Sequence, residues 1–277
     1  MRQVGIHSDD IRCSARIETS EERAAIAAFL LENNAGPQSA GRILCSVIRP
    51  GVDDDHFRGD AELTSNVSKF REKELETAAR ILGVNRGEFL NYRDSGMVGT
   101  PENQDPRSFH QAPLAEAAGR LAAILREERP DVVITYDEDG VYGHPDHIKA
   151  HFVTNAALDL LAGEGWTPKK LYYTAIPRSL MERFMSEMPE EARRQNPDMR
   201  IVGTPDELVT TQVDVHEFVD RKRKAFAAHV TQNDPNSWFS TMADQIYEIV
   251  FGTEFYPRKR GKPGSALPEG DVFAGID

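Results

Sequence analysis

The sequence has few cysteines, no long apolar run and a deficit of positive charge. Cys13 and Cys45 are the two cysteines in 277 residues, too few for a disulfide framework or a paired-thiol metal site. No apolar stretch approaches the roughly 20 residues of a membrane span. The first residues also lack the apolar core and cleavage site of a signal peptide. The net charge of −12 argues against a nucleic-acid-binding surface. We therefore expect a cytoplasmic protein without a membrane span or a nucleic-acid partner.

The chain is long enough for one large α/β domain, because 277 residues with 39% hydrophobic content can bury a single core. Apolar, β-branched runs alternate with stretches of helical spacing, which predicts a Rossmann-like, mostly parallel sheet flanked by helices. No Gly-x-Gly-x-x-Gly follows the first predicted strand, so dinucleotide binding is not supported. We expect a single domain over residues 1–277, with a core of residues 1–176 and a smaller C-terminal lobe of residues 177–277 packed on it.

The richest group of chemically reactive residues lies near the middle of the chain. Residues 131–136 (Asp-Val-Val-Ile-Thr-Tyr) predict a buried parallel strand, and the apolar spacing after His147 predicts a helix that ends at Gly163. Between them stands Asp-Glu-Asp-Gly-Val-Tyr-Gly-His-Pro-Asp-His, residues 137–147. The motif therefore follows the carboxyl end of a strand, where open α/β sheets usually place their ligands.

Spacing within this motif favours a metal or acid–base site. His144 and His147 are three residues apart and would share a helix face, with Pro145 in the first turn. Asp146 could accept a hydrogen bond from one imidazole and fix its tautomer, as carboxylates do around metals. One histidine could bind a metal while the other serves acid–base chemistry. A helical turn with polar caps is the alternative. For His151 we predict a packed or supporting position, because its spacing from His147 lacks the Glu that two-histidine zinc pairs carry.

These residues, from Tyr136 to His147, resemble the second metal motif of the LmbE-like zinc deacetylases. That family includes the N-acetylglucosaminyl-phosphatidylinositol de-N-acetylases (PIG-L), the mycothiol-pathway deacetylase and the mycothiol S-conjugate amidase. Its first metal motif is His-Pro-Asp-Asp after the first strand, and residues 7–10 (His-Ser-Asp-Asp) are similar to it, with Ser in place of Pro. Taken without the resemblance, such a tetrapeptide also fits a solvated turn.

The resemblance implies a ligand set and a division of roles. His7, Asp10 and His147 would bind one Zn²⁺ per chain, and Asp9 would be the general base. The catalytic group would also include three residues of the second motif, namely Tyr142, His144 and Asp146.

Two further positions match family residues that bind the substrate's sugar. Arg71 lies on a predicted amphipathic helix that ends near Gly83, and by resemblance it contacts the sugar. Asp94 follows a predicted strand over residues 88–93, and by resemblance it holds sugar hydroxyls. A solvated helix face and a capped turn are the alternatives for these two residues.

The resemblance implies zinc-dependent hydrolysis of the acetamide of an N-acetylglucosamine-type glycoside, which releases a free amine and acetate. The partner would be a small amino-sugar substrate, and assembly as a homo-oligomer stays open. A thiol-conjugate amidase of the same family is the first alternative. The second is a non-catalytic carbohydrate-binding relative, because residues 11–16 depart from the family pattern after Asp10.

The last third of the chain carries two basic runs. Residues 221–224 (Arg-Lys-Arg-Lys) predict a solvated helix face, and residues 258–264 predict a mobile basic loop with Gly and Pro. By resemblance His229 would line the substrate cleft, and a helix-end imidazole is the equal alternative.

Overall fold

The structure is a computed structural model that describes residues 45–49, 61–84, 87–191, 203–231, 233 and 240–276. His7, Asp9 and Asp10 lie outside the described residues, as does the predicted first strand. Within the described residues, no helix combines the length and the apolar character that crossing a membrane requires.

Two strand–helix–strand units confirm the predicted α/β class. Strands β1 and β2 pair in parallel on either side of helix α1 in the chain, and strands β3 and β4 pair in parallel around helices α3 and α4. A parallel pair needs such a crossover, because a tight turn can join only antiparallel strands. The bounds are β1 Cys45–Arg49, α1 Ala61–Leu82, β2 Gly87–Arg93, α2 Leu114–Glu128, β3 Val132–Thr135, α3 Gly140–Gly143, α4 Pro145–Gly163 and β4 Lys170–Tyr173.

The C-terminal third adds antiparallel pairing. Strand β7 lies antiparallel beside β4, so the sheet that carries β3 is mixed, and β5 pairs antiparallel with β6. The remaining bounds are α5 Arg178–Glu187, β5 Thr211–Asp214, α6 Val219–Ala227, α7 Asp244–Phe251, β6 Thr253–Tyr256 and β7 Arg258–Arg260, with short 3₁₀ turns at Pro101–Gln104, Asp206–Leu208 and His216–Phe218.

Helix α4 forms the centre of the main core. All four residues of β3 are buried, which explains their continuous apolar, β-branched character. Helix α4 packs against α2 through Leu121 and Leu125 on one helix and Val153 and Leu158 on the other. The first turn of α4 is thereby held at the carboxyl end of β3.

The prediction of a solvated basic face over residues 221–224 is wrong for Lys222. This side chain is 4% exposed. Its Nζ lies 2.9 Å from a carboxylate oxygen of Glu254 and donates to the Phe251 carbonyl at 2.9 Å. A lysine is rarely buried without such a partner. The pairing joins α6 to β6.

The predicted mobile loop over residues 258–264 is also wrong in part, because its first three residues form β7. Glu269, which is fully buried, pairs with Arg258 of β7 and with Lys170 of β4, whose Nζ lies 3.0 Å from its carboxylate. The Gly264 amide donates to the same carboxylate at 2.7 Å. These contacts attach the C-terminal segment to the sheet.

Candidate active site

The site begins where β3 ends and α4 starts. His144 is the N-cap residue of α4, and Pro145 occupies the first turn as predicted. The Asp146 backbone N–H donates to His144 Nδ1 at 3.1 Å, which satisfies one of the amides that every helix start leaves without an intrahelical partner. The sequence therefore uses an imidazole in the place that Ser, Thr, Asp or Asn usually takes.

His147 is held in one orientation. Its Nδ1 lies 3.2 Å from the Gly140 carbonyl oxygen, which can only accept, so Nδ1 carries the proton and Nε2 has the lone pair. The ring stacks on Tyr136, with centroids 4.0 Å apart and planes 7° from parallel. Burial and, to a smaller extent, the neighbouring His144 together lower the pKa of His147 to about 3. His147 therefore stays neutral at physiological pH, the form that binds metals.

Gly140 makes this contact possible. Its φ of +63° is a conformation that residues with a Cβ rarely adopt, and an added Cβ would lie 2.8 Å from His147 Cβ and 2.9 Å from the Ile148 nitrogen. The loop can approach the first turn of α4 only because residue 140 has no side chain.

His144 is also a neutral imidazole with a defined tautomer. Because Nδ1 accepts the Asp146 amide hydrogen, the neutral ring carries its proton on Nε2. Burial lowers the pKa of His144, and the charge of Asp94 opposes this shift. The hydrogen bond between His144 and Asp146 thus uses the backbone amide of Asp146, whereas the sequence led us to expect its carboxylate.

The carboxylate of Asp146 is bonded to Ser95. The Ser95 amide donates to Oδ2 at 3.0 Å, and the Ser95 hydroxyl donates to Oδ1. Burial and then the charge of Asp94 raise the pKa of Asp146, the hydrogen bonds from Ser95 oppose the shift, and the net pKa is about 7. Asp94 is therefore close enough to act electrostatically on both Asp146 and His144.

Tyr142 lies at the edge of this group and is 42% exposed. Its ring stands edge-on to His147 at 4.9 Å and to His144 at 6.1 Å. The structure thus brings together five predicted site residues, which are Asp94, Tyr142, His144, Asp146 and His147.

The remaining predicted residues are Arg71 and three residues that lie outside the described part of the chain. Arg71 is buried on α1, the helix that packs on α6, and its contact with substrate stays a prediction. The assigned roles of His7, Asp9 and Asp10 also stay predictions.

His151 occupies the packed position predicted for it. It is 8% exposed, its Nδ1 lies 2.9 Å from the Tyr136 carbonyl oxygen, and its ring meets Tyr173 edge-on at 4.8 Å. Tyr136 therefore contacts His147 through its ring and His151 through its carbonyl. The sequence analysis assigns no site role to Tyr136 or Ser95, although Tyr136 is the first residue of the second motif and Ser95 directly follows Asp94.

The fit of a metal can be tested on His147. A ring held at Nδ1 by a backbone carbonyl, neutral and with Nε2 as the remaining nitrogen, is the usual arrangement of a metal-binding histidine. Among the residues that the structure describes, no group of three or more His, Cys, Asp or Glu side chains could hold a metal. The other two predicted ligands, His7 and Asp10, lie outside those residues. Within the described residues, His147 therefore fits a metal site as one of several ligands.

Comparison with known proteins gives the family. The family described as PIG-L, GlcNAc-PI de-N-acetylase, matches residues 7–158, a range that includes both predicted metal motifs. The chain belongs to the PIG-L family. This confirms the resemblance seen in the sequence.

Several relatives of the chain carry one name, 1D-myo-inositol 2-acetamido-2-deoxy-alpha-D-glucopyranoside deacetylase. The relative from Geodermatophilus obscurus is 40% identical over 235 residues, which cover 78% of this chain and 80% of its own. The relative from Acidothermus cellulolyticus is 41% identical over 229 residues, which cover 78% of this chain and 77% of its own. A solved structure of N,N'-diacetylchitobiose deacetylase from Pyrococcus horikoshii is also similar, with 19% identity and a TM-score of 0.48 over 78% of this chain and 73% of that chain.

The close approach at Gly140 leads to a stability prediction. Gly140→Ala adds a positive-φ penalty of about 1–2 kcal/mol and overpacking of about 1–3 kcal/mol, because its Cβ would meet His147 and Ile148. Gly143→Ala is the matched comparison, since Gly143 also has positive φ but its Cβ would have no atom within 4 Å. Urea unfolding should show that Gly140→Ala loses clearly more unfolding free energy than Gly143→Ala does. Equal losses in the two variants would contradict the packing account.

Proposed function

We propose that this protein hydrolyses the acetamide of an N-acetylglucosaminyl glycoside to the free amine and acetate. The observation that carries the proposal is the arrangement of His147 and His144, two neutral imidazoles with opposite tautomers on one helical turn. One presents a lone pair at Nε2 and the other presents an N–H there. Membership of the PIG-L family and the deacetylase name of the relatives support the same reaction.

The proposal includes a divalent metal, for which zinc is the expected ion. His7, Asp10 and His147 would hold it, a His and carboxylate set that suits zinc and leaves a position open. When bound, such an ion lowers the pKa of its water towards 7 and polarises a carbonyl. The role of His147 is to supply Nε2 in a fixed direction, which the Gly140 carbonyl ensures.

His144 would act as a hydrogen-bond donor in the reaction. Its Nε2–H can stabilise the negative charge that develops on the acetamide oxygen, the role of an oxyanion-hole donor. Its Nδ1 is occupied by the Asp146 amide and its pKa is lowered by burial, so the ring is poorly suited to carry an extra proton. Tyr142, partly exposed beside the two histidines, would assist at the same oxygen.

Asp9 would provide the proton transfers. It would take a proton from the attacking water as general base and return it to the leaving amine, so that water and amide give amine and acetate. Asp94, beside His144 and Asp146, would accept hydrogen bonds from sugar hydroxyls. Arg71 would contact the sugar from α1. Among the functions that the family allows, the deacetylase name of the relatives favours this one over a thiol-conjugate amidase.

Acetate release tests the function directly. We expect the zinc-loaded wild type to release acetate and free amine from an N-acetylglucosaminyl inositol, and Asp9→Ala to lower kcat by roughly 10²–10⁴-fold. A thiol-conjugate amide serves as the competing substrate. Faster turnover of that amide would replace the deacetylase proposal with the amidase. Binding of the glycoside without any turnover would favour the non-catalytic relative. Full activity of Asp9→Ala would exclude Asp9 as the base.

The two functions of His144 can be separated by substitution. His144→Asn keeps a side-chain acceptor for the helix cap but shortens the side chain and removes Nε2–H, whereas His144→Ala removes both. We expect both variants to lose roughly 10²–10³-fold in kcat. Only His144→Ala should lose about 1 kcal/mol of unfolding free energy as well. An active His144→Asn enzyme would show that Nε2 is not the donor.

A further inference from the structure

Ser95 makes an unusual set of contacts for a serine in a loop. It is fully buried between the end of β2 and the first turn of α4. Its amide and its hydroxyl bond the two different oxygens of Asp146, a residue 51 positions further along the chain. One residue therefore fixes both the position and the plane of a carboxylate within the candidate active site.

The direction of each hydrogen bond in this contact is defined. The His110 amide donates to Ser95 Oγ at 2.8 Å, so the hydroxyl oxygen serves as an acceptor there. A hydroxyl has one hydrogen, and beside the ionised carboxylate of Asp146, whose Oδ1 can only accept, that hydrogen points to Oδ1. The segment that carries His110 is itself fixed to β2, because the Phe109 amide donates to the Arg93 carbonyl at 2.8 Å. The hydroxyl of Ser95 therefore connects two loops to α4.

The consequence reaches His144 through the backbone. Asp146 is the residue whose N–H donates to His144 Nδ1 and so sets the tautomer of that ring. Next to it, His147 carries the predicted metal-binding nitrogen. A shift of the Asp146 side chain would therefore move the backbone of residues 146 and 147. That backbone carries the amide that bonds His144 and the side chain of His147.

We infer that Ser95 is a positioning residue that clamps Asp146 and thereby holds the first turn of α4, with His144 and His147, in its working orientation. This inference rests on the proposed deacetylase function. Ser95 does not act on the substrate itself. It acts through Asp146, so removal of its hydroxyl should slow the chemical step and leave substrate binding largely unchanged.

The test compares kcat and KM for acetate release by zinc-loaded variants. Ser95→Ala should lower kcat by roughly 10–100-fold, the usual effect of losing a residue that orients a ligand, with little change in KM. Ser95→Cys, which fills similar space but donates weakly, should fall between Ser95→Ala and wild type, and it carries the comparison if Ser95→Ala fails to fold. Ser108→Ala is the matched control, since Ser108 is equally buried in the neighbouring loop and, among the described residues, its hydroxyl accepts a weak hydrogen bond from the Gln111 amide, at 3.4 Å.

A double-mutant cycle decides whether Ser95 acts through Asp146. In the Asp146→Ala background the hydroxyl has no carboxylate to hold, so Ser95→Ala should cause little further loss of kcat. Urea unfolding midpoints of the same four proteins should show the same coupling, which gives a readout independent of activity. The inference would be overturned if Ser95→Ala lowered kcat equally in the wild-type and Asp146→Ala backgrounds. It would also be overturned if Ser95→Ala lowered kcat no more than Ser108→Ala does. A wild type that releases no acetate would instead overturn the proposed function, and the positioning role would fall with it.

Discussion

The candidate site depends on how closely the loop after β3 approaches the first turn of α4. Gly140 lies so near His147 that a Cβ has no room, and its carbonyl oxygen takes the Nδ1 hydrogen of that ring. The contact selects the tautomer, directs Nε2 away from the loop and leaves a buried, neutral imidazole. A buried imidazole without such a partner would lose the hydrogen bond that water provides. Orientation and chemistry at His147 therefore have the same physical origin.

A second set of contacts keeps that turn in place from the other side. Ser95, at the end of β2, bonds the carboxylate of Asp146, while Asp146 bonds the ring of His144 through its amide. The loop after the carboxyl end of β2 thus meets the helix start that follows the carboxyl end of β3, the end of the strands where α/β proteins usually place their ligands. Backbone groups bond both rings: the Gly140 carbonyl accepts from His147, and the Asp146 amide donates to His144. Each buried ring thus has a hydrogen-bond partner while it stays neutral. In the proposed reaction, the opposite tautomers would give a lone pair on His147 for the metal and an N–H donor on His144 for the acetamide oxygen.

Local signals in the sequence are sufficient to predict the strand and the helix around the site. The apolar run over residues 131–136, Pro145 in a first helical turn and the packed His151 were all predicted from neighbouring residues. Contacts between residues that are distant in the chain cannot be predicted in this way. The pairing of Asp146 with Ser95 spans 51 positions. In the same way, the partner of Lys222 lies on another element, Glu254, so the basic run of its own helix predicts a solvated face. When a charged residue pairs with a residue on another element, its neighbours in the chain do not reveal that pairing.

The most direct test of the account is the zinc content per chain of the wild type and of His147→Ala, with His151→Ala as the comparison. His151 is a buried histidine of the same helix, held by a backbone carbonyl but assigned no metal. The account predicts about one zinc in the wild type and in His151→Ala and almost none in His147→Ala. A wild type that takes up no metal on titration, or a His147→Ala protein that retains it, would contradict the claim that Nε2 of His147 binds the metal.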